Sequence, residues 1–115
     1  MWKVAIFGAK SIAMGVCHAV QQLYKNDFEI IGFLVSSKED NPDTLLGLPV
    51  YELESFTQKD VCVLIAIPQD IQEEVVKLLE EHGFHNHICV DSRKESDLME
   101  KYYSLMGVFQ SIHNL

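Results

Sequence analysis

The strongest constraint on how this chain folds is an apolar run that stops at a glycine, with helical spacing directly after it. Residues 3–7 read Lys-Val-Ala-Ile-Phe and precede Gly8, as expected for a parallel strand covered on both faces. Ser11 is the predicted N-cap of the helix that follows. The stretch therefore predicts a strand, a tight loop and a helix N-terminus, where unpaired N–H groups and the helix dipole favour phosphate. The apolar positions of that helix are Ile12, Val16, Val20 and Leu23.

Four further apolar segments predict strands at residues 28–35, 48–51, 61–67 and 87–90. Because helical patterns separate most of them, we expect an α/β protein with a Rossmann-like, doubly wound parallel sheet in three α/β/α layers. The predicted strand order is 3-2-1-4-5. Pro49 places the third strand at the edge of the sheet, since proline cannot donate to a central ladder.

Two capping-box patterns mark the later helices. Asp70 with Glu73 predicts a helix that stops at Gly83. Ser92 with Glu95 predicts a last helix. The first should bury Ile71, Val75, Leu78 and Leu79, and the second carries the apolar residues Leu98, Met99, Tyr102, Leu105 and Met106 before Gly107.

The remaining segments between these elements are predicted as a loop and a turn. Residues 36–47 are polar, contain Pro42 and are rich in turn-forming residues, which favours an irregular loop. Residues 52–56 are predicted as one helical turn.

The length of 115 residues fits a single domain. We expect residues 1–107 to form a nucleotide-binding type of domain and residues 108–115 to be a tail, or the start of a linker to a further domain. The tail keeps Phe109, Ile112 and Leu115 after the last predicted helix has ended. Contact with a C-terminal domain through this tail, or formation of a homo-oligomer, is the corresponding expectation.

Charge and cysteine usage narrow the partners and the compartment. The formal net charge of -8 argues against nucleic acid and anionic membranes, which are bound by clustered Lys and Arg. The N-terminal apolar run is too short to span a membrane. Cys17, Cys62 and Cys89 lie in apolar segments and are odd in number, which is typical of reduced, buried thiols in a cytoplasmic protein.

Three loops form the candidate site, because ligands of such sheets lie at the carboxyl ends of the strands beside the switch point. No acid, base or nucleophile follows the fourth strand, so no catalytic residue is predicted. The candidate binding residues are Gly8, Ala9, Lys10, Ser11 and Ile12 after the first strand, Ser36, Ser37 and Lys38 after the second, and Ala66, Ile67 and Pro68 after the fourth.

The first loop matches the dinucleotide fingerprint GxGxxG only in part. Gly8 supplies the first glycine, Lys10 stands in place of the second, and Ala13 is a small residue in place of the third. Two roles for Lys10 stay open: its side chain fills the space of a pyrophosphate, or its ammonium contacts a phosphate at the rim. The loop is accordingly either a phosphate site or a turn without a ligand.

The second loop bears on the choice of cofactor. An acidic residue at the end of the second strand would hold a ribose 2′-hydroxyl and favour NAD, and none is present. Ser36, Ser37 and Lys38 could accept the 2′-phosphate of NADP, although the same residues are ordinary loop material. The cofactor stays open between NAD(P) and a nucleotide-sugar.

Three other groups of polar residues favour structural roles. His85, His87 and Cys89 alternate along a strand, but no fourth metal ligand is evident. Cys17 and His18 are adjacent on a helix and point in different directions, which argues against a nucleophile pair. The acidic residues of the later helix, which we expect to be a solvated face, are Glu73, Glu74, Glu80 and Glu81.

Several short segments carry a resemblance to a known family. They read KVAIFGA at residues 3–9, EIIGF at 29–33, GLPV at 47–50 and LIAI at 64–67. Together they resemble the N-terminal Rossmann-like domain of bacterial sugar O-acyltransferases of the left-handed β-helix class. Residues 92–103 are similar to a segment of related modules in capsule and lipopolysaccharide glycosyltransferase-like proteins.

The resemblance implies that the domain binds a nucleotide-sugar and precedes a catalytic domain. By this likeness Gly8, Lys10, Ser11 and Ile12 border the diphosphate, and the loop from Ser36 borders the base or sugar. The family pattern has a further glycine where this chain has Lys10, and acidic residues where it has serines. The implied function is a non-catalytic module of bacterial surface-polysaccharide synthesis. The alternatives are an NAD(P)-binding domain of an oxidoreductase and a ligand-free interaction or dimerisation module.

Overall fold

The computed structural model describes residues 2–90 as a mixed α/β fold built on one six-stranded, mostly parallel sheet. Its strands are β1 Trp2–Phe7, β2 Phe28–Val35, β3 Thr44–Leu45, β4 Leu48–Glu52, β5 Cys62–Ile65 and β6 His87–Cys89. Helix α1 spans Ser11–Leu23 and helix α2 spans Gln72–Glu81, with short 3₁₀ turns at Leu53–Ser55 and Gln69–Ile71. The predicted helical turn near residues 52–56 is therefore present as a 3₁₀ turn.

The strand order is β3-β4-β2-β1-β5-β6. The five predicted parallel strands follow one another as expected. β1 lies between β2 and β5, and the predicted switch point is the junction of β1 with β5. The order differs in detail because the segment predicted as a loop contains β3. This strand pairs antiparallel with the start of β4, so β4 is not the edge strand there and that prediction was wrong.

A two-residue turn explains the additional strand. Leu46 and Gly47 both have positive φ, 53° and 77°, which is the backbone pattern of a type I′ hairpin. The turn brings Thr44 opposite Pro49 and Leu45 opposite Leu48. A leucine at a left-handed position is not a recognised turn signal, and the hairpin is therefore not visible in the sequence.

The two helices cover opposite faces of the sheet. Side chains of α1 pack with Ile6 and Phe33 in one buried cluster. Side chains of α2 pack with Phe7 and Ile65 in the other. Ile6 and Phe7 are consecutive residues of β1, so the strand alternates between the two clusters and is buried on both faces, as its continuous apolar run predicts.

Gly32 interrupts β2 with a bulge. Val4 of β1 pairs with Ile30 while Ala5 pairs with Gly32, so one residue of β2 is skipped in the ladder. Gly32 has φ +156°, and a Cβ atom there would lie 2.7 Å from the carbonyl oxygen of Pro49. The bulge therefore depends on the missing side chain, which also lets β4 approach β2 closely.

Helix α2 begins later than predicted. Its N-cap is Ile71, and no side chain caps the helix. The Asp70–Glu73 capping box was therefore wrong, and Ile71 is 41% exposed rather than buried. The first turn is a 3₁₀ turn because the chain leaves Pro68 in an extended conformation and must tighten before α2 can start.

The predicted stop at Gly83 is confirmed in its geometry. Gly83 has φ +85°. The Gly83 N–H donates to the Glu80 carbonyl at 3.1 Å, and the Phe84 N–H donates to the Leu79 carbonyl at 2.9 Å. These two bonds form a Schellman motif, which satisfies carbonyl groups at the end of the helix.

Glu80 is not simply a solvated acidic residue. Its carboxylate accepts hydrogen bonds from the ring nitrogens of His85 and His87, the latter at 2.7 Å. Two of the three alternating residues that were weighed as metal ligands thus contact α2, His87 from β6 and His85 from the segment before it. Within residues 2–90, no group of three or more His, Cys, Asp or Glu residues is arranged to hold a metal ion.

The three cysteines are free thiols. Cys17 is buried, whereas Cys62 and Cys89 are partly exposed, so the predicted burial was wrong for two of them.

The helix predicted from Ser92 to Gly107 and the tail of residues 108–115 lie outside the described residues. Across the part of the chain that is described, no helix is sufficiently long and apolar to cross a membrane.

Replacing Gly32 with alanine should destabilise the fold by about 2 kcal/mol or more, because the new Cβ meets the Pro49 carbonyl in addition to the unfavourable φ. Gly47→Ala is the matched control, since a Cβ there meets nothing within 4 Å and only the backbone strain of about 1 kcal/mol remains. Urea unfolding of both variants gives the difference. Equal losses would contradict the close β2–β4 contact.

The Glu80 link predicts a pH-dependent stability. Hydrogen bonds from His87 and then His85 lower the pKa of Glu80 below its usual value of 4.5. The folded-state pKa is thus lower than the unfolded one, so the contribution is present above pH 4.5 and is lost as pH falls through the lowered pKa. We expect Glu80→Gln to flatten the decline of the unfolding free energy between about pH 5 and about pH 3. Glu81→Gln, on the same turn of α2, is the control and should leave the decline unchanged.

Candidate functional site

An open groove of about 230 Å³ lies at the carboxyl ends of β1 and β5, beside the first turn of α1. It joins two of the three predicted loops. The residues that line it are Gly8, Ala9, Lys10, Ser11, Ile12, Ala66, Ile67, Pro68 and Ile71. All of the predicted site residues after the first and fourth strands therefore border one common space.

Gly8 brings the walls of the groove together. Its N–H donates to the Leu34 carbonyl at 2.9 Å, which continues the β1–β2 ladder past the end of the strand. Its φ is +125°, and a Cβ atom there would lie 2.7 Å from the Ala66 oxygen and 3.3 Å from the Ala13 Cβ. Gly8 thus has the role of the first fingerprint glycine, and Ala13 is small enough for α1 to approach the sheet.

The N-terminus of α1 opens into the groove without a side-chain cap. The N-cap is Lys10 rather than Ser11, which is the first helical residue, so the predicted serine cap was wrong. Lys10 has an extended backbone and no capping hydrogen bond, and no acidic residue stands in the first turn. Among residues 2–90, no side chain caps the backbone N–H groups at this end, and no carboxylate of the first turn of α1 neutralises the positive end of the dipole.

Lys10 is exposed and borders the groove. Among residues 2–90 its ammonium forms none of the described salt bridges. The groove stays open beside it, a geometry in which the ammonium can reach an anion at the rim.

The opposite wall is apolar. Ala66 is buried, Ile67 is half-buried, and Pro68 and Ile71 are exposed at the groove. Ile71 was predicted to be part of the buried face of α2, and sequence reasoning missed its place in the groove. The missed signal was Pro68, whose extended backbone delays the helix and turns Ile71 outward.

Gln72 stabilises this wall through two hydrogen bonds. It is the buried polar residue of the described core, with 6% of its surface exposed. Its Nε2 donates to the Ile67 carbonyl at 3.1 Å and to the Val90 carbonyl at 2.8 Å. One amide group therefore ties the loop after β5 to the end of β6. The sequence pattern did not single out this residue.

The third predicted loop is folded on itself and does not line the groove. The Ser37 hydroxyl accepts from the Glu39 N–H at 3.1 Å, and the Asn41 side chain donates to the Ser37 carbonyl at 2.9 Å. The Lys38 Nζ lies 3.5 Å from the Asp43 Oδ1 in an exposed ion pair. Such a pair contributes about 0–1 kcal/mol to stability. Ser36 and Ser37 are likewise exposed. This loop follows β2, which neighbours β1, so it adjoins the site without forming its wall.

The thiol of Cys17 is not available for chemistry. Burial raises its pKa to about 11, which keeps it protonated at neutral pH. Cys17 belongs to the core on the sheet side of α1, while His18 is exposed. The two residues point in different directions, as predicted.

Comparison with known proteins supports the fold class. No family model matches the sequence, and no curated protein matches it. The crystal structure of RSP, a Rex-family repressor, is similar with a TM-score of 0.60 and 13% sequence identity. The match covers 100% of this chain and 63% of the repressor chain, so this chain spans less than two thirds of that protein. At this identity the likeness shows a Rossmann-like fold alone.

Replacing Gln72 with leucine should destabilise the fold by about 2 kcal/mol, because two carbonyl groups lose their donor while the volume is nearly kept. The exposed Gln69, in the 3₁₀ turn just before α2, is the matched control, and Gln69→Leu should change the unfolding free energy by less than about 0.5 kcal/mol. Chemical denaturation of both variants tests the difference. A loss for Gln72→Leu no larger than for Gln69→Leu would show that the amide does not hold the wall.

Proposed function

We propose that this chain is a non-catalytic, Rossmann-like binding module for a nucleotide, with a phosphate at the N-terminus of α1. The observation that supports it most is the open groove where Gly8, the uncapped first turn of α1 and Lys10 meet. Backbone N–H groups, a helix dipole and a lysine ammonium at one end of a groove are a favourable environment for a phosphate. The net charge of -8 still favours a small molecule over nucleic acid as the ligand.

The apolar wall supports the nucleotide rather than a free phosphate. Ile67, Pro68 and Ile71 offer an apolar surface opposite the phosphate end. Such a surface suits the flat face of a base or a sugar ring, which small-molecule sites usually bury against apolar side chains. Within residues 2–90, the residues that line the groove include no carboxylate, imidazole or thiol, a composition that suits binding.

The groove is too small to enclose a whole nucleotide. Its volume of about 230 Å³ is below the range of about 300–1,000 Å³ of typical small-molecule sites. A nucleotide would place its phosphate and one ring in the groove and extend its remainder over the end of β2. Ser36, Ser37 and Lys38 lie at that end, and the exposed Lys38–Asp43 pair is weak enough to be released for a ligand.

The narrower form of the proposal is a nucleotide-sugar-binding module of a bacterial capsule or lipopolysaccharide biosynthesis protein. It rests on the sequence resemblance of the four short segments and of residues 92–103, and not on the groove. In this form residues 108–115 lead to, or contact, a further domain. An NAD(P)-binding domain of an oxidoreductase and a ligand-free interaction module are the alternatives that the following experiment distinguishes.

Thermal unfolding with a ligand panel tests the proposal. UDP-glucose, NAD, NADP and coenzyme A are each added at millimolar concentration, and a ligand at 100 times its Kd should add about 2.7 kcal/mol to the stability. We expect stabilisation by a UDP-sugar. Stabilisation by NAD or NADP alone would support the oxidoreductase domain instead, and no stabilisation by any compound would support the interaction module.

Charge reversal at Lys10 locates the site. Lys10→Glu should weaken binding of the active compound on the order of tenfold, because a carboxylate replaces the ammonium at the phosphate end. Lys25→Glu makes the same change of charge at an exposed position after α1 and should leave binding unchanged. Titration calorimetry measures both. If Lys10→Gly instead creates binding that the parent chain lacks, Lys10 blocks the loop and the rim role is wrong.

A further inference from the structure

Gln72 contacts the apolar wall of the groove without lining the groove itself. The wall presents Ile67, Pro68 and Ile71 to the groove, whereas the side chain of Gln72 is buried in the core. A buried amide is costly unless it is hydrogen-bonded. The Nε2 of Gln72 donates to two backbone carbonyls, one of which belongs to the wall. A residue placed in this way affects a ligand through the wall and not by direct contact.

The first of these hydrogen bonds closes the wall into a loop. The Gln72 Nε2 donates to the Ile67 carbonyl at 3.1 Å, five residues earlier in the chain. Within the loop, the Ile71 N–H donates to the Pro68 carbonyl at 3.2 Å. Ile67, Pro68 and Ile71 therefore belong to one closed segment whose two ends are joined by the Gln72 side chain.

The second hydrogen bond fixes this loop to the sheet. The Gln72 Nε2 donates to the Val90 carbonyl at 2.8 Å. The Val90 N–H in turn donates to the carbonyl of Ile65, the last residue of β5, at 3.0 Å. The loop after β5 is thus bonded back to the end of the same strand. Burial does not hold Pro68 and Ile71 in place, because both are exposed.

We propose that Gln72 is a positioning residue for the ring of the bound nucleotide, which it serves by keeping the apolar wall in the shape that the ring contacts. This inference rests on the proposed function and names the residue on which ring binding depends. A wall that is ordered before binding loses less conformational entropy on binding than a loose one, so the affinity for the ring is higher.

The phosphate end of the groove is held by different contacts. The Gly8 N–H donates to the Leu34 carbonyl at 2.9 Å. The Met14 N–H donates to the Lys10 carbonyl at 3.0 Å in the first turn of α1. Neither bond involves Gln72. Loss of the Gln72 amide should therefore weaken the binding of a compound that carries a ring, and spare the binding of a compound that consists of phosphates alone.

Titration calorimetry with two probes tests the proposal. UDP-glucose carries rings and a diphosphate, and inorganic pyrophosphate carries the diphosphate alone. We expect Gln72→Leu to raise the Kd of UDP-glucose by about tenfold and to change the Kd of pyrophosphate by less than about twofold. Gln69→Leu, at an exposed position in the 3₁₀ turn before α2, is the control and should change neither Kd. The titrations are run at a temperature at which every variant is folded, so that a loss of stability alone alters neither value.

A double-mutant cycle with Ile71→Ala separates positioning of the wall from a general effect on the domain. Ile71 is exposed at the groove, and its truncation should itself weaken the binding of UDP-glucose. Because Gln72 acts through the same wall, the two losses should not add. The double variant should bind UDP-glucose about as weakly as the weaker of the two single variants.

Three results would overturn the proposal. The first is an equal Kd of UDP-glucose for the parent chain and Gln72→Leu. The second is an equal rise in the Kd of both probes, which would assign Gln72 to the support of the whole domain. The third is additive losses in the cycle. A parent chain that binds neither probe contradicts the proposed function itself, and the positioning of a ring is then wrong with it.

Gln72→Met serves if the leucine variant does not fold. Methionine is unbranched, adapts to irregular space and has no N–H to donate, so the same rise in the Kd of UDP-glucose is expected. Hydrogen exchange gives a readout that needs no ligand. In either variant the Ile71 amide should exchange about tenfold faster, while the Gly8 amide is unchanged. Equal exchange of the Ile71 amide in the parent chain and the variant would show that the wall keeps its shape without Gln72.

Discussion

Three elements of the fold converge on one Cα atom, that of Gly8. The end of β1, the end of β5 and the first turn of α1 lie so close that a single methyl group would touch the Ala66 carbonyl and the Ala13 side chain. The contact lies beside the last β1–β5 pair, Phe7 with Ile65, and Gly8 and Ala66 both line the groove. Because the nearest atom is the backbone oxygen of Ala66, the residue after β5, no rotation of a side chain could make room for a larger residue.

The loop after Gly8 has no second glycine, and the backbone of Lys10 explains why its conformation requires none. In the dinucleotide fingerprint, the second glycine lets the phosphate approach the backbone. In this chain Lys10 adopts an extended backbone and its side chain is exposed, so the loop needs no positive φ at this position. Where the fingerprint has a glycine, this chain has an exposed ammonium at the rim of the groove, so in the proposed phosphate site part of the recognition would come from a side chain.

The order of the parallel strands could be predicted because each strand is a continuous apolar run between polar segments, and β1 is buried on both faces. The departures have local causes. β3 depends on a turn with Leu46 in a left-handed conformation, which no turn signal in the sequence indicates. α2 starts after Ile71 because the extended conformation of Pro68 outweighs the capping potential of Asp70.

The part of the candidate site that could be predicted is the part formed by the loops after two neighbouring parallel strands. The residues after the first and fourth strands border the groove because both strands end beside the switch point. Ile71 joins them through the delayed helix, which periodicity alone could not show. Gln72 was missed because its role is to satisfy two carbonyl groups on different strands, a contact between distant parts of the sequence that a local pattern does not contain.

The Gln72 amide has a mechanical consequence. Its Nε2 donates two hydrogen bonds. One goes to the carbonyl of Ile67, in the wall of the groove, and the other to the carbonyl of Val90, just after the last described strand. A displacement of the wall therefore strains the bond to Val90, and a displacement of Val90 strains the bond to the wall. Thermodynamic linkage makes such a coupling reciprocal: the effect of a change at Ile67 on Val90 equals the effect of a change at Val90 on Ile67.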